Sequence, residues 1–519
     1  SFALEPAYLA IEKIPGLNAK IKKRISELRK EFPTGKPHVD YRIKSAKIKL
    51  LWEAFEGNAD KEFEKFRSEN SYWIEDFALF KVLKKYHNGA PWYEWPREFK
   101  GRDKTPLGIF FVEYKKEILF EIWMQWKLYE QFKLAKEYAK KKKVLLKGDL
   151  PVLVSRDSAD VWAHAEFFKL EFAAGAPPDM YCAKGQRWGM PTYNWEKIAA
   201  DGYRYVKEKL KYAGNFYDIL RIDHVVGLFR IWSIPYNDPQ ENLGLNGFFD
   251  PLDESLWEIH GRNILSLMVD NTNMLLCAED LGIIPPACPN TLREFGILGN
   301  DIQRWVKDWN VRHDFLGPES YRLLSVAALS THDTTNWPAW WENEAGTVDE
   351  GLFKRKCSER GINYDLVRGK LFSPKFLGRG RLRWLEDISS VDILAGILGK
   401  RKEELADFID IYLNTYKEKE KLWKILGMDG RMKEACDKKL VAAILTFTLS
   451  AQSVFCIQSL VDWLFLSDVF KGDAYQYRIN TPGTVSAKNW SLVIPLALED
   501  LLKHKVCGEI KKMVIAAHR

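Results

Sequence analysis

The chain has 519 residues, of which 46% are hydrophobic and 29% charged, so it can bury a large core and is neither disordered nor collagen-like. Its 78 Lys and Arg against 71 Asp and Glu leave a net charge of +7, which is small for so large a surface and does not indicate nucleic-acid binding. The 7 cysteines are scattered without C-x-x-C spacing, so they indicate neither a disulfide framework nor a zinc site and favour a cytoplasmic location.

The first part of the chain has the composition of a helical region. Residues 13–143 are rich in Lys, Glu, Leu and Phe, and the stretches 47–55 and 118–141 repeat apolar residues at helical spacing. Strand signals are few in this region. We therefore predict a helical insertion subdomain over residues 13–143.

Short apolar runs that end at acidic or polar residues recur from residue 144 onward. Helix-like segments lie between several of them, at 195–212 and 255–270, and this alternation is typical of a parallel α/β fold. The predicted strands lie at 144–149, 216–222, 274–278, 323–329 and 453–457, with 302–305 as a weaker sixth candidate.

A (β/α)8 TIM-type barrel with helical insertions is the economical fold for this pattern. We predict one catalytic barrel domain over residues 1–519, with an aromatic substrate loop at 163–215 and a helical insertion between late strands at 340–450. In such barrels the carboxyl ends of the strands carry the chemistry, so acidic residues at separate strand ends are expected to face one pocket.

Residues 440–461 form a stretch of 22 residues without charge, long enough to suggest a transmembrane helix. Thr, Ser and Gln residues interrupt it, and a helix-like first half is followed by a run of strand formers. We interpret it as a buried helix that leads into a buried strand, and expect no membrane partner.

Three acidic residues stand at the ends of predicted strands. Asp223 follows Arg221 by two residues, so on a strand both side chains share a face and the arginine would stabilise the carboxylate. Glu279 follows an apolar run beside Asp280, and burial with a neighbouring acid would raise its pKa, as a general acid requires. Two such carboxyl groups, with Asp333 as a third that binds sugar hydroxyls, are the groups that cleave a glycosidic bond.

Other interpretations stay open on these residues alone. A buried acid at a strand end often caps a helix or pairs with an arginine, so any one of the three would more often be structural than catalytic. His224 and His332, beside two of the acids, suggest a metal site. No closely spaced pair of ligands exists in the sequence, and we expect neither a metal nor a cofactor.

Aromatic residues are abundant, with 20 Trp and 21 Tyr, and many lie beside Gly and Pro. They are concentrated in the loop sequences 175–181 and 185–195. Flat rings stack on the apolar faces of sugars, so this loop is a candidate substrate surface. A rigid loop that carries core aromatics is an equal alternative.

A series of motifs in this order resembles the 4-α-glucanotransferases of glycoside hydrolase family 77, the amylomaltases or disproportionating enzymes. The resemblance extends from residue 1 to about residue 497, and the motifs together are highly specific. They are G-D-L-P (148–151), S-A-D-V-W (158–162), G-A-P-P-D (175–179), G-Q-R-W-G (185–189), R-I-D-H (221–224), A-E-D-L-G (278–282), T-H-D-T (331–334) and N-T-P-G-T (480–484).

The resemblance implies a retaining transglycosylase that moves α-1,4-glucan or glucosyl units from a maltooligosaccharide donor to a sugar acceptor. Maltooligosaccharides and glycogen or starch-derived glucans are its implied partners. Asp223 would be the nucleophile, Glu279 the general acid/base and Asp333 the transition-state stabiliser. The substrate-binding residues implied by the same match are Arg221, His332, Asp149, Tyr181, Trp188 and His224.

Two departures from the family pattern are visible. The aromatic loop has Met180 where the family often has the first of two adjacent aromatics. The segment that begins at Ser1 matches a family segment that normally follows the first two barrel strands and an active-site tyrosine. We therefore predict an N-terminally incomplete barrel with about six of the eight strands.

Details of several motifs place the chain closer to the branch of the plant cytosolic maltose-using enzyme. The leading prediction is a 4-α-glucanotransferase. An α-glucan hydrolase is the enzymatic alternative, since hydrolysis uses the same catalytic residues and differs in how well water is excluded. An inactive glucan-binding fragment is the non-enzymatic alternative, and the sequence leaves the oligomeric state open.

Overall fold

Helices occupy most of the chain up to residue 141. The computed structural model describes residues 2–55, 60–179, 184–374 and 378–519. The first helices are α1 (Ala19–Glu31), α2 (Arg42–Ala54), α3 (Lys61–Glu69), α4 (Ile74–Tyr86), α5 (Arg97–Lys100), α6 (Lys104–Glu113) and α7 (Lys115–Lys141). The long helix α7 buries Ile118, Ile122 and Trp126 on one face and packs against α4.

Strands and helices alternate over the next part of the chain. Most strands are short, and helices of 5 to 14 residues follow several of them. The elements are β1 (Lys147–Leu150), α8 (Ala159–Ala163), β2 (Phe168–Lys169), β3 (Phe172–Ala176), β4 (Gln186–Arg187), β5 (Thr192–Tyr193), α9 (Trp195–Ala200), α10 (Arg204–Ala213), β6 (Ile219–Ile222), β7 (Ile231–Pro235), β8 (Phe248–Asp250), α11 (Trp257–Asp270), β9 (Leu275–Ala278), α12 (Ala287–Glu294) and β10 (Gly299–Ile302).

The remaining part is richer in helix. Besides single strands, it contains a group of helices and two antiparallel pairs of short strands. The elements are β11 (Lys307–Asp308), β12 (Asp314–Phe315), β13 (Ser325–Ala328), α13 (Trp337–Asn343), β14 (Thr347–Asp349), α14 (Glu350–Glu359), α15 (Tyr364–Leu371), β15 (Arg381–Arg383), α16 (Val391–Leu398), α17 (Ala406–Thr415), α18 (Glu418–Ile425), α19 (Lys438–Leu449), β16 (Phe455–Cys456), α20 (Leu460–Leu464), α21 (Leu498–Leu501) and α22 (Lys505–Ala516).

Six parallel strands form the centre of the described chain. They pair in chain order as β1-β6-β9 and β10-β13-β16, and a parallel bridge between Cys277 and Leu298 connects the two groups. The register places Asp149 of β1 opposite Arg221 of β6. Because the strands are parallel, their carboxyl ends lie at one edge, where the loops that follow them meet.

Two sequence predictions about single elements are wrong in detail. The predicted strand 302–305 is a strand only up to Ile302, and Gln303–Trp305 is a 3-10 turn. The predicted helix 195–212 is divided into α9 and α10, because Gly202 and Tyr203 have φ angles of +64° and +58°, which an α-helix does not allow.

The charge-free stretch 440–461 contains most of α19 and all of β16, so the predicted order of a buried helix and a strand is confirmed. The strand is only half-buried, with Val454 and Ile457 beside it exposed, so its predicted burial is wrong. Among the described residues, no helix is both long and apolar enough to cross a membrane. The division into subdomains at 13–143, 163–215 and 340–450 stays a prediction.

Candidate active site

One arginine joins three carboxylates at the carboxyl edge of the central strands. Arg221 lies on β6 with a side chain that is only 10% exposed. Its Nη1 donates to both carboxylate oxygens of Asp149 at 2.7 Å and lies 3.0 Å from Asp223 Oδ1, while Nη2 lies 3.0 Å from Glu279 Oε2. Side chains from three neighbouring strand ends, β1, β6 and β9, therefore share one cation.

Glu279 follows β9, and its carboxyl group has a strongly raised pKa. Burial raises its pKa to about 7, and the charge of Asp223 adds to the rise, whereas Arg221 and the backbone N–H of His224 oppose it. That N–H donates to Glu279 Oε2 at 2.9 Å. Asp223 Oδ1 and Glu279 Oε2 each lie 3.0 Å from a nitrogen of the Arg221 guanidinium, so the two carboxyl groups are close neighbours.

The neighbouring acid that affects Glu279 is Asp223, which corrects the prediction that Asp280 plays this part. The Asp280 side chain is 1% exposed and pairs with Arg322, and its Oδ1 accepts the backbone N–H of Asn300 at 2.7 Å. Consecutive residues at a strand end point in opposite directions, so Asp280 faces away from the carboxylate cluster and holds β10 and the following loop in place.

The third predicted acid follows β13. His332 Nε2 lies 3.2 Å from Asp333 Oδ2, and Asn480 Nδ2 donates to Asp333 Oδ1 at 2.6 Å. Burial alone would raise the pKa of Asp333, but the hydrogen bonds from His332 and Asn480 outweigh it and hold the pKa below its usual value. The charge of Arg221 lowers the same pKa as well.

His332 is the second member of this pair. Its hydrogen bond to Asp333 raises the pKa of His332, against the effect of burial, and the ring therefore keeps a proton to higher pH. The pair brings a carboxylate and a hydrogen-bond donor to one side of the pocket.

His224 has an unusual backbone beside the nucleophile candidate. Its φ is +42°, in the left-handed region, so its N–H reaches the Glu279 carboxyl group. Burial lowers the pKa of His224 to about 4, so the ring is neutral at neutral pH. The Trp188 ring packs edge-on against it, with the centroids 4.9 Å apart. Tyr181, the other predicted aromatic contact, lies outside the described residues.

The segment 478–480 also contributes to the site, although the sequence did not predict this. Besides its side-chain bond to Asp333, Asn480 donates its N–H to the His332 carbonyl at 3.1 Å, and Arg478 Nη2 donates to the Asp333 carbonyl at 2.9 Å. Sequence reasoning used the N-T-P-G-T motif for the resemblance but gave Asn480 no role. The 147 residues that separate it from Asp333 left no local signal for the contact.

Removing the Asn480 amide tests its effect on Asp333. In an Asn480→Ala variant we expect the pKa of Asp333 to rise, because a donor to its charged form is lost. The acid limb of the kcat profile then moves to higher pH, and kcat at neutral pH falls by about 10-fold, as for the loss of one hydrogen bond to a charged group.

Asn489→Ala is the matched control, because the Asn489 amide bonds only atoms of Thr481 and Thr484 on its own segment. Its acid limb is expected to coincide with that of the parent enzyme. An Asn480→Ala variant with an unshifted acid limb would contradict the role assigned to the amide.

Metal binding has no support in the side-chain geometry of the described residues. Nowhere in that part of the chain do three His, Cys, Asp or Glu side chains come together to hold a metal ion. Arg221 is the cation that lies among the carboxylates.

Comparison with known proteins decides the family. The family model described as 4-alpha-glucanotransferase, glycoside hydrolase family 77, matches residues 1–497. The chain belongs to this family. A 4-alpha-glucanotransferase of Chlamydia pneumoniae is 31% identical, over 99% of this chain and 84% of the relative. The rice 4-alpha-glucanotransferase DPE2 is 26% identical, over 66% of this chain and 52% of that protein.

Solved structures confirm the fold at the level of the family. An amylomaltase of Corynebacterium glutamicum aligns with 99% of this chain and 66% of its own, at a TM-score of 0.70 and 20% identity. An amylomaltase of Streptococcus agalactiae, in complex with acarbose, aligns with 96% of this chain and 86% of its own, at a TM-score of 0.65 and 20% identity. The predicted TIM-barrel type is confirmed at this level, and the predicted 4-alpha-glucanotransferase activity is confirmed by the family match. The absence of the first two barrel strands stays a prediction.

Proposed function

We propose that this glucanotransferase moves α-1,4-glucan or glucosyl units from maltooligosaccharide donors to sugar acceptors by a retaining double displacement. Asp223 is the nucleophile, Glu279 the general acid/base and Asp333 the stabiliser of the transition state. The observation that supports this best is the contact of Arg221 with the carboxyl groups of Asp149, Asp223 and Glu279 at one edge of the sheet.

In the first half of the reaction Asp223 attacks the anomeric carbon while Glu279 protonates the departing glycosidic oxygen. A pKa of about 7 keeps a large part of Glu279 protonated at neutral pH, so the proton is available. The C–O bond of the donor breaks, and an ester forms between the sugar and Asp223. Arg221 stabilises the Asp223 carboxylate before the attack.

In the second half Glu279, now ionised, takes the proton of an acceptor hydroxyl, and that oxygen displaces Asp223 from the anomeric carbon. In the glycosyl ester Asp223 has lost the negative charge that raised the pKa of Glu279, so this pKa falls and Glu279 is ready to act as a base. Two inversions give net retention. Both acids contact the same guanidinium, which supports a mechanism in which the two carboxyl groups act on one glycosidic bond.

Asp333 and His332 act on the sugar that carries the reacting carbon. The lowered pKa keeps Asp333 negative, so it stabilises the positive charge that develops on the sugar ring in the transition state. His332 and Asp149 present a donor and an acceptor to the hydroxyl groups of that ring. Trp188 and His224 lie next to the acid/base and form part of the acceptor side.

The substrate class follows from the family and from one structural relative. The Streptococcus agalactiae amylomaltase was solved with acarbose. We propose maltooligosaccharides and glycogen or starch-derived glucans as the substrates of this chain, and the cytoplasm as its location.

Incubation with maltotriose alone tests the proposed function. Transfer is expected to give a ladder of maltooligosaccharides both shorter and longer than the donor, measured by chromatography over time. Products limited to glucose and maltose would instead identify a hydrolase. An Asp223→Asn variant under the same conditions serves as the blank, because any ladder it formed would come from a contaminating enzyme.

A further inference from the structure

A half-exposed tryptophan lies beside the His332–Asp333 pair. Trp490 has 54% of its surface exposed, although large aromatic side chains in a chain with this core are mostly buried. Its ring centroid is 5.0 Å from that of His332, with the planes inclined by 39°. The ring is therefore next to the catalytic pocket and open to solvent.

The backbone around Trp490 holds the ring in this position. Its φ is +58°, a left-handed value that is uncommon for a residue other than glycine. Its N–H donates to the Ile479 carbonyl at 2.8 Å, and its own carbonyl accepts the hydroxyl of Tyr41 from the N-terminal part of the chain. Such a conformation persists where the surrounding structure enforces it, which is common at ligand-binding sites.

The position of the acid/base indicates whether Trp490 lies on the donor side or the acceptor side of the pocket. Glu279 protonates the leaving oxygen in the proposed mechanism, and its carboxyl group is bound by the N–H of His224, whose ring contacts Trp188. The Trp188 side is thus the side of the leaving group and acceptor. Trp490 lies at the other pair, His332 and Asp333, and so on the donor side.

We propose that Trp490 is a donor-side binding residue that stacks on a glucose ring of the transferred α-1,4-glucan. This inference rests on the proposed function. An indole face is flat and apolar, and the axial C–H groups of a pyranose form an apolar patch that it can cover. The His332 ring packs against the indole at a tilt and leaves 54% of the Trp490 surface exposed, which is available to a sugar.

Donor kinetics with maltoheptaose test the proposal. In a Trp490→Ala variant we expect the KM for this donor to rise about 10-fold, which corresponds to the binding energy of one stacked ring. The value of kcat is expected to change less than the KM, because among the described residues no hydrogen bond joins Trp490 to Asp223, Glu279 or Asp333. Trp490→Phe keeps a flat ring and is expected to restore most of the affinity.

The matched control is Tyr138→Ala on α7, since Tyr138 is an aromatic residue that is 64% exposed and lies on a helix outside the pocket. Its kinetic constants are expected to equal those of the parent enzyme.

A Tyr41→Phe variant removes the hydroxyl that holds the Trp490 carbonyl. We expect it to raise the donor KM, but less than Trp490→Ala does.

A binding measurement separates this inference from the proposed function. Calorimetric titration of Glu279→Gln with maltoheptaose is compared with the Glu279→Gln, Trp490→Ala double variant. Weaker binding by the double variant supports the stacking role of Trp490, even if the parent enzyme produces no ladder from maltotriose. Equal binding by both, a KM that rises only for the acceptor, or a kcat loss that Trp490→Phe shares would each overturn it.

Discussion

An Asp223→Asn variant is expected to transfer from maltotriose at least about 1,000-fold more slowly than the parent enzyme, as is usual when a catalytic nucleophile is removed. The amide has nearly the size of the carboxyl group but cannot form the glycosyl ester. The Arg221 side chain keeps its contacts with Asp149 and Glu279, so the fold of the site is retained. The initial rate of transfer measures the loss, and the melting temperature shows that the variant is folded.

Asp270→Asn provides the comparison for this charge change. Asp270 is an exposed carboxylate at the end of α11, outside the pocket, where its side chain accepts only the Ser266 hydroxyl. Its transfer rate is expected to match that of the parent enzyme. A rate for Asp223→Asn above one tenth of the parental value would rule out Asp223 as the nucleophile.

The second large effect is expected for Glu279→Gln and depends on pH. In the parent enzyme the raised pKa of about 7 keeps Glu279 protonated below neutrality, and the acid is lost as the pH rises through that value. The transfer rate of the parent should therefore fall on the alkaline side of about pH 7. The glutamine variant has no acid to lose, so this limb disappears and the rate on maltotriose is about 100- to 10,000-fold lower.

A donor that needs no protonation shows whether Glu279 acts as the acid. With α-maltosyl fluoride, fluoride leaves without help, so the burst of fluoride release by Glu279→Gln should approach that of the parent enzyme. Glu279→Asp, which keeps a carboxyl group but shortens the chain, is the companion variant and is expected to recover part of the maltotriose activity. An equal loss on both donors would show that Glu279 is needed for something other than proton transfer.

The contact between Arg221 and Asp223 could be predicted because it depends on local periodicity. Residues two apart on a strand share a face, and the structure gives a contact of 3.0 Å. The contact of Glu279 with the same cation was predictable in outline, because the carboxyl ends of parallel strands meet at one edge. That Asp333 acts together with these acids stays a prediction. The sequence could not show which acid neighbours Glu279. Asp280 is adjacent along the chain, but the strand direction turns it toward Arg322.

The contributions of Asn480 and Trp490 depend on contacts between distant parts of the chain. Asn480 is 147 residues from Asp333, and Trp490 is 449 residues from Tyr41. No periodicity or spacing predicts such pairs, because they are fixed by how the last segment folds over the strand ends. The break between α9 and α10 is different, because Gly202 is visible in the sequence and disfavours a helix interior. The apolar spacing on both sides of it nevertheless favoured one continuous helix.

Reaction of Glu279→Gln with α-maltosyl fluoride, followed by mass spectrometry of peptides, tests the central claim most directly. The variant can form the glycosyl ester but lacks the base that resolves it, so the ester should accumulate. We expect one added maltosyl group on the peptide that contains Asp223, and none in the Asp223→Asn, Glu279→Gln double variant. A label on another acidic residue, or fluoride release with no covalent species, would contradict the mechanism.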